Sequence, residues 1–151
     1  RAACDELGLP VWHDPHNADP AFARARVRAA MPVLTDALGD DLPDNLARTA
    51  ALVADDNRAL DSWAASVAAE AVDGDEVNVA ALQDVPRAVR TRVLRAWALA
   101  RGVPGDNLFY VHIDAMDALT VRWRGQGPVH LPSGARASRR AGRLRIEAPE
   151  G

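Results

Sequence analysis

The chain has 151 residues, 48% of them hydrophobic and 26% charged, with a formal net charge of −3. That is enough apolar material for one real core plus a short attached segment, and it excludes a disordered chain. Apolar runs of only a few residues, and a start with no basic region leading into an apolar stretch, predict neither a membrane span nor a signal peptide, hence a cytoplasmic protein.

The single cysteine, Cys4, excludes an internal disulfide and a multi-cysteine zinc site. Charge is divided along the chain. Residues 1–85 hold 16 acids against 6 arginines, whereas residues 86–151 hold 12 arginines against 5 acids, so the two parts carry −10 and +7. A basic half suits an anionic partner such as RNA, or else forms a solvated surface. All 18 basic residues are arginine. Its planar fork of donors meets phosphate oxygens two at a time, although GC-rich coding also accounts for the absence of lysine.

Residues 1–10 read as the last turns of a helix ended by Gly8, then extended chain from Leu9 to Trp12, without an initiator methionine. This has the texture of a cut inside a larger α/β domain. Asp19-Pro20 is a helix start, because the carboxylate caps free amides and proline tolerates the first helical position. A helix is predicted from Pro20 to Leu38, disturbed at Pro32, with a turn over residues 39–43. From Asp44 to Val72 the apolar residues Leu46, Ala50, Val53, Leu60, Ala64, Val67 and Ala71 recur at helical steps, with Asn57 in the seam.

Residues 74–84 read as a connector whose Val77, Val79 and Leu82 touch the core in extended chain. Pro86 opens a helix to Arg101 with Val89, Val93, Ala96, Trp97 and Ala100 as its stripe. Asp106 or Asn107 caps a last helix to Trp123, burying Ile113, Met116, Leu119 and Val121. Beyond Gly125, β-prone runs at 129–131, 135–139 and 144–146 are punctuated by Pro132, Gly134 and Gly142. The fold class expected is mainly α, a helical domain of about four helices with a small C-terminal β-hairpin or three-stranded meander. Trp12, Trp63 and Trp97 fall on buried stripes or beside proline and read as core. Trp123 is either core or a base-stacking surface.

His13, Asp14 and His16 are metal-ligand types, but they sit beside Pro15 in a turn, with no further His or Cys near. Asp14 and Asn17 read as turn-makers, and no metal is expected. No glycine-rich phosphate loop occurs, and no serine has a histidine at motif spacing. Arg24 and Arg28, four apart, share one helix face with Arg26 turned away. They clamp a phosphate, pair back to Asp14 or stay solvated.

Taken together, Leu9-Pro10-Val-Trp12-x-Asp14-Pro-x-Asn17-x-Asp19-x-x-Phe22-x-Arg24-x-Arg26-Val-Arg28-x-x-Met31-Pro32-x-Leu34 resembles the segment of tRNA(Ile)-lysidine synthetase that leaves its ATP-using domain. One departure is Ala25, where many members carry Asn. The likeness continues through Asn45-Leu-Ala-Arg48, Asp55-Asp-Asn-Arg-Ala-Leu60-Asp61, Val85-Pro-Arg87-Ala-Val-Arg90, His112-Ile-Asp114-Ala-Met-Asp117 and Trp123-Arg-Gly125-Gln126-Gly127-Pro128, covering nearly the whole chain.

The resemblance implies an ATP-dependent carbon–nitrogen ligase. Adenylation activates C2 of the wobble cytidine in CAU-anticodon isoleucine tRNA, and the amine of lysine displaces AMP. It places ATP with Mg on an N-terminal domain outside this chain, and no cofactor or catalytic residue on these residues. Residues 1–35 would be the tail of the ATP-binding α/β domain and a connecting helix, and 36–151 the helical tRNA-recognition domain. The partner is then tRNA-Ile, with lysine and ATP in the complete enzyme, no membrane, and room for a homodimer. The candidates for tRNA phosphate contact are Arg87, Arg90, Arg95, Arg101, Arg136, Arg139 and Arg140. Arg24 and Arg28 are assigned to the domain junction, and Asp14, Asn17 and Asp19 to the turn. The alternative is a non-catalytic helical protein-interaction domain, with Asn57 setting register in the seam.

Overall fold

A computed structural model describes residues 6–8 and 19–147. Cys4, Trp12 and the turn with His13, Asp14, His16 and Asn17 lie outside the described residues. The chain divides into two compact units, Arg1–Val53 and Ala54–Gly151.

In the first unit Asp19 starts the helical segment as an Asx turn: its Oδ1 accepts the Ala21 N–H at 2.9 Å, and its carbonyl accepts that of Phe22 at 3.1 Å. Arg26 tightens this turn, with Nη1 donating to the carbonyls of Pro20 (2.7 Å) and Ala21 (3.0 Å). Regular helix α1 therefore begins at Ala23, slightly later than the Asp19-Pro20 signal, and runs through Pro32 to Leu38. Gly39 ends it at φ 101°, in the region where glycine alone meets no Cβ penalty, and its N–H donates to Thr35 O at 2.8 Å. No residue of α1 is buried.

Helix α2, Leu42–Ala71, spans both units. Its predicted seam is realised in part. Ala64 and Ala71 are buried and Leu60 and Val67 pack against the core, whereas Leu46 and Val53 remain exposed. Asn57 is an exposed partner of Arg92. Trp63, expected in the core, is 49% exposed, because it projects from α2 beside the buried stripe that Ala64 occupies.

The second unit continues with β1 (Val72–Asp73), β2 (Glu76–Asn78), α3 (Ala80–Gln83), α4 (Arg87–Ala100), α5 (Tyr110–Val121), β3 (Val129–His130), β4 (Arg136–Arg140) and β5 (Arg143–Glu147). The predicted meander is present as β3–β4–β5, and β2 and β1 widen it to an antiparallel sheet of order β1-β2-β5-β4-β3. The added strands come from the connector. Val77 is fully buried there, and residues 80–83 turn helical once Asn78 Oδ1 accepts the Ala80 N–H at 3.1 Å. Both residues of the β4–β5 turn have positive φ, Ala141 at 50° and Gly142 at 76°, the backbone that matches the twist of a two-residue hairpin.

Helix α5 is the centre of this unit and touches α3, α4, β3 and β4. Val89, Val93, Leu94 and Trp97 of α4, Met116 and Leu119 of α5, and Leu144 and Ala137 of the sheet fill the core. The predicted stripe on α4 is rotated. Leu94 and Ala98 are buried instead of Ala96 and Ala100, because α5 also covers the flank that carries Arg90. On α5, Val121 is exposed at the helix end. The expected cap at Asp106 or Asn107 is replaced. Residues 105–107 form a 3-10 turn, and the His112 ring, through Nδ1, accepts the Phe109 N–H at 3.1 Å. No helix among the described residues is long and apolar enough to cross a membrane.

Candidate nucleic-acid interface

Two surfaces of the second unit collect arginines, and they differ in what neutralises them. On α4, Arg87 and Arg90 are three residues apart; on α5, Asp114 and Asp117 repeat that spacing, so two cations face two carboxylates across the helix pair. Arg90 is 7% exposed and Asp117 2%. They meet two-pronged, through Nε to Oδ1 and Nη2 to Oδ2 at 3.1 Å, while Arg90 Nη1 donates to Val85 O at 2.6 Å. An ion pair this deep survives because its donors and acceptors are satisfied. Arg90 is thus a core residue, turned inward by Asp117, and not an exposed cation as the sequence suggested.

Arg87 is half exposed. It donates to Asp114 Oδ1 at 2.9 Å and to the Tyr110 hydroxyl, with its guanidinium 5.2 Å from that ring's centre. The hydrogen bond from Arg87 holds the Asp114 carboxyl below its ordinary value of 3.8 against the opposing effect of desolvation, and the nearby Arg122 adds to the lowering. The Arg87 guanidinium is raised in turn, mainly by Asp114 and then by Tyr110. Arg92 ties α4 to α2 through Asp61 (2.8 Å) and Asn57 (2.6 Å), and Arg101 pairs with Asp75. Arg95 is exposed and makes no ion pair among the described residues.

The second surface is the solvent face of the sheet. Along β4, residues 136, 138 and 140 point away from buried Ala137. Along β5, residues 143, 145 and 147 point away from buried Leu144 and Ile146. Register assembles three rows across this face: Glu76, Arg145 and Ser138; Asn78, Arg143 and Arg140; Glu147, Arg136 and His130. Glu76 pairs with Arg145 and, at 3.6 Å, with Arg143, which also reaches Asp73 at 3.2 Å. Arg136 and Arg140 have no partner among the described residues. Together with Arg139, Arg145, Ser138 and Glu147 they line a shallow groove.

Arg139 stands apart. Its Nη1 donates to the carbonyls of Leu119 (2.9 Å) and Thr120 (3.1 Å), capping α5, and its guanidinium lies 5.5 Å from the centre of the Trp123 ring. Trp123 is 38% exposed, so it is a surface ring backed by a cation.

Of the seven arginines singled out from sequence, the fold brings Arg136, Arg139 and Arg140 to one groove, sets Arg87, Arg90 and Arg101 against acids, and leaves Arg95 exposed on α4. Arg24 and Arg28 are exposed on α1, without a partner among the described residues. Sequence reasoning passed over Arg143, Arg145, Ser138 and Glu147. Their signal was the strict alternation Arg136-x-Ser138-x-Arg140 and Arg143-x-Arg145-x-Glu147.

Residues 78–145 match the model of the TilS substrate binding domain, so the match runs from Asn78 on β2 to Arg145 on β5 and takes in both arginine surfaces. The chain is 55% identical over 148 residues to the tRNA(Ile)-lysidine synthase of Salinispora tropica, covering 95% of this chain and 44% of that protein. It belongs to the tRNA(Ile)-lysidine synthase family. The synthase of Streptomyces coelicolor is 48% identical over 97% of this chain and 42% of its own length, and that of Thermobifida fusca 44% over 97% and 46%. The chain therefore spans just under half the length of the curated relatives it matches. Within the family match, the buried Arg90–Asp117 pair fixes α4 on α5, and that packing supports the inner side of the sheet whose outer side carries the arginine rows.

Proposed function

We propose that this chain is the tRNA-recognition portion of a tRNA(Ile)-lysidine synthetase. The whole enzyme, in the cytoplasm, would ligate lysine to C2 of the wobble cytidine of CAU-anticodon tRNA-Ile using ATP and Mg. Residues 36–151 would be the recognition domain and residues 1–35 the tail of the ATP-binding domain with its connecting helix, which sets Arg24 and Arg28 at the junction. The observation that carries this reading is the substrate-binding-domain match over residues 78–145 coinciding with the arginine-rich part of the chain.

The described residues do not fit an ATP site. Their positive-φ glycines, Gly8, Gly39, Gly74, Gly102, Gly125, Gly134 and Gly142, each close a separate turn, and none belongs to a glycine-rich run of amides opening a helix. What the chain supplies is positioning: guanidinium groups fixed on strands and helices hold a phosphate backbone in register without reading its sequence.

The test is binding of the chain to unmodified CAU-anticodon isoleucine tRNA and to an elongator methionine tRNA across a salt series. Binding that favours the isoleucine tRNA and weakens steeply with salt is the expected result. A second reading, a helical protein-interaction domain, draws on the exposed Val27, Leu34 and Leu38 of α1. It predicts no tRNA binding at low salt and association that persists at high salt.

A further inference from the structure

Resting on the tRNA reading above, we infer that the solvent face of the sheet takes the sugar-phosphate backbone of a base-paired RNA stem, with Arg136 and Arg140 as its direct phosphate contacts. Three observations converge on it. The two arginines project from one face of β4, their backbone positions roughly 13 Å apart along the strand at the usual rise per residue. Between and beside them lie the Ser138 hydroxyl and Arg145, in a groove whose one lining carboxylate is Glu147, opposite Arg136.

Neither Arg136 nor Arg140 forms an ion pair among the described residues, although Glu147 stands opposite Arg136, whereas a phosphate approaching Arg87 or Arg101 competes with a bound Asp114 or Asp75. Arginine placed without a partner on a rigid strand keeps its two-pronged donor set for an incoming phosphate.

The kind of RNA follows from what the face lacks. The outward residues of the five strands are Asp73, Glu76, Asn78, His130, Arg136, Ser138, Arg140, Arg143, Arg145 and Glu147, with no Phe, Tyr or Trp. Sheets that bind unpaired nucleotides stack bases on aromatic rings, and this face has none to offer. Paired stems present phosphates and 2′-hydroxyls while hiding their bases, and those are the groups that guanidinium and hydroxyl donors meet. The exposed rings Phe109, Tyr110 and Trp123 lie at the two ends of α5 and not at outward strand positions, Trp123 being held against Arg139.

The experiment measures binding of the chain to the isoleucine tRNA over a salt series, with a fully paired RNA duplex and a single strand of equal length as competitors. Arg136→Gln/Arg140→Gln is expected to weaken tRNA binding about tenfold or more at low salt and to reduce the salt slope by roughly two phosphate contacts. Glu147→Gln, which removes the groove's carboxylate, is expected to tighten binding, an outcome that misfolding cannot produce. Arg48→Glu, at an exposed position of α2, removes the same amount of positive charge and controls for net charge. The duplex is expected to compete better than the single strand.

If the wild-type chain binds tRNA but the double variant keeps its affinity and slope, the sheet assignment is overturned while the recognition reading stands. Better competition by the single strand overturns the stem assignment. If the wild-type chain binds no tRNA at low salt, the recognition reading fails and the sheet assignment with it.

Discussion

The α4–α5 face and the solvent face of the sheet are built from the same cation, and the fold gives it opposite fates. On α4–α5, carboxylates at matching helical spacing consume the charge. Arg90 is drawn into the core by Asp117, and Arg87 is held by Asp114. On the sheet, period-two alternation places Arg136 and Arg140 outward without an ion pair among the described residues, Glu147 standing opposite Arg136, and Arg143 and Arg145 share Glu76. An arginine count therefore says little about anion binding until each guanidinium has been matched to its carboxylate. The first face holds the unit together, and the second is left available.

The largest way to break this contrast is Arg90→Ala. It leaves the buried Asp117 carboxylate with only a long ion pair to Arg87 Nε at 3.9 Å and is expected to cost about 3–5 kcal/mol, read by thermal or urea unfolding. A loss within surface-mutation range would show that the pair is not structural. Next, the two sides of one strand should separate cleanly. Leu144→Ala, on the buried side of β5, is expected to cost about 2–5 kcal/mol. Arg145→Ala, its neighbour on the outer side, should cost no more than about 1 kcal/mol despite the contact with Glu76.

Smaller still is Ala141→Asn. Ala141 sits at φ 50° in a turn that favours Asn-Gly, so the substitution should stabilise the hairpin by up to about 1 kcal/mol. Because it adds no charge to the outer face, RNA affinity should stay the same, which separates hairpin stability from binding.

The smallest effect is seen in pH dependence. Asp114 has a folded-state value below its ordinary 3.8, so its contribution is present above that value and fades as pH falls below it towards the lowered one. Asp114→Asn should therefore flatten the fall in stability below pH 3.8 and leave the remaining acid dependence in place. An unchanged slope would mean that Arg87 does not hold this carboxylate in solution.

Much of the helical content was legible because long amphipathic segments advertise their period. The starts and ends at Asp19-Pro20, Pro86 and Gly102 follow from capping and backbone limits that act within a few residues. The strands of the C-terminal meander were equally visible between their glycines and Pro132. Strands β1 and β2 were not, since two or three residues cannot display an alternation, and only pairing with β5 makes them strands. Trp63 misled because a large ring on a helix is ordinarily buried, while here its own stripe is taken by Ala64.

The sequence by itself determined that this is a mainly helical chain with a small antiparallel meander, basic in its second half and built on arginine. It also carried the local motifs that mark its family. These are properties of near neighbours, set by side-chain period, turn chemistry and composition. Tertiary structure decided which arginines are free. Arg90 and Asp117 are 27 residues apart, and Arg145 and Glu76 are 69 apart, so no local pattern says that they meet. Whether a guanidinium is neutralised or exposed depends on a carboxylate brought to it by packing and register, because ion pairing acts over a few ångströms in space whatever the distance along the chain.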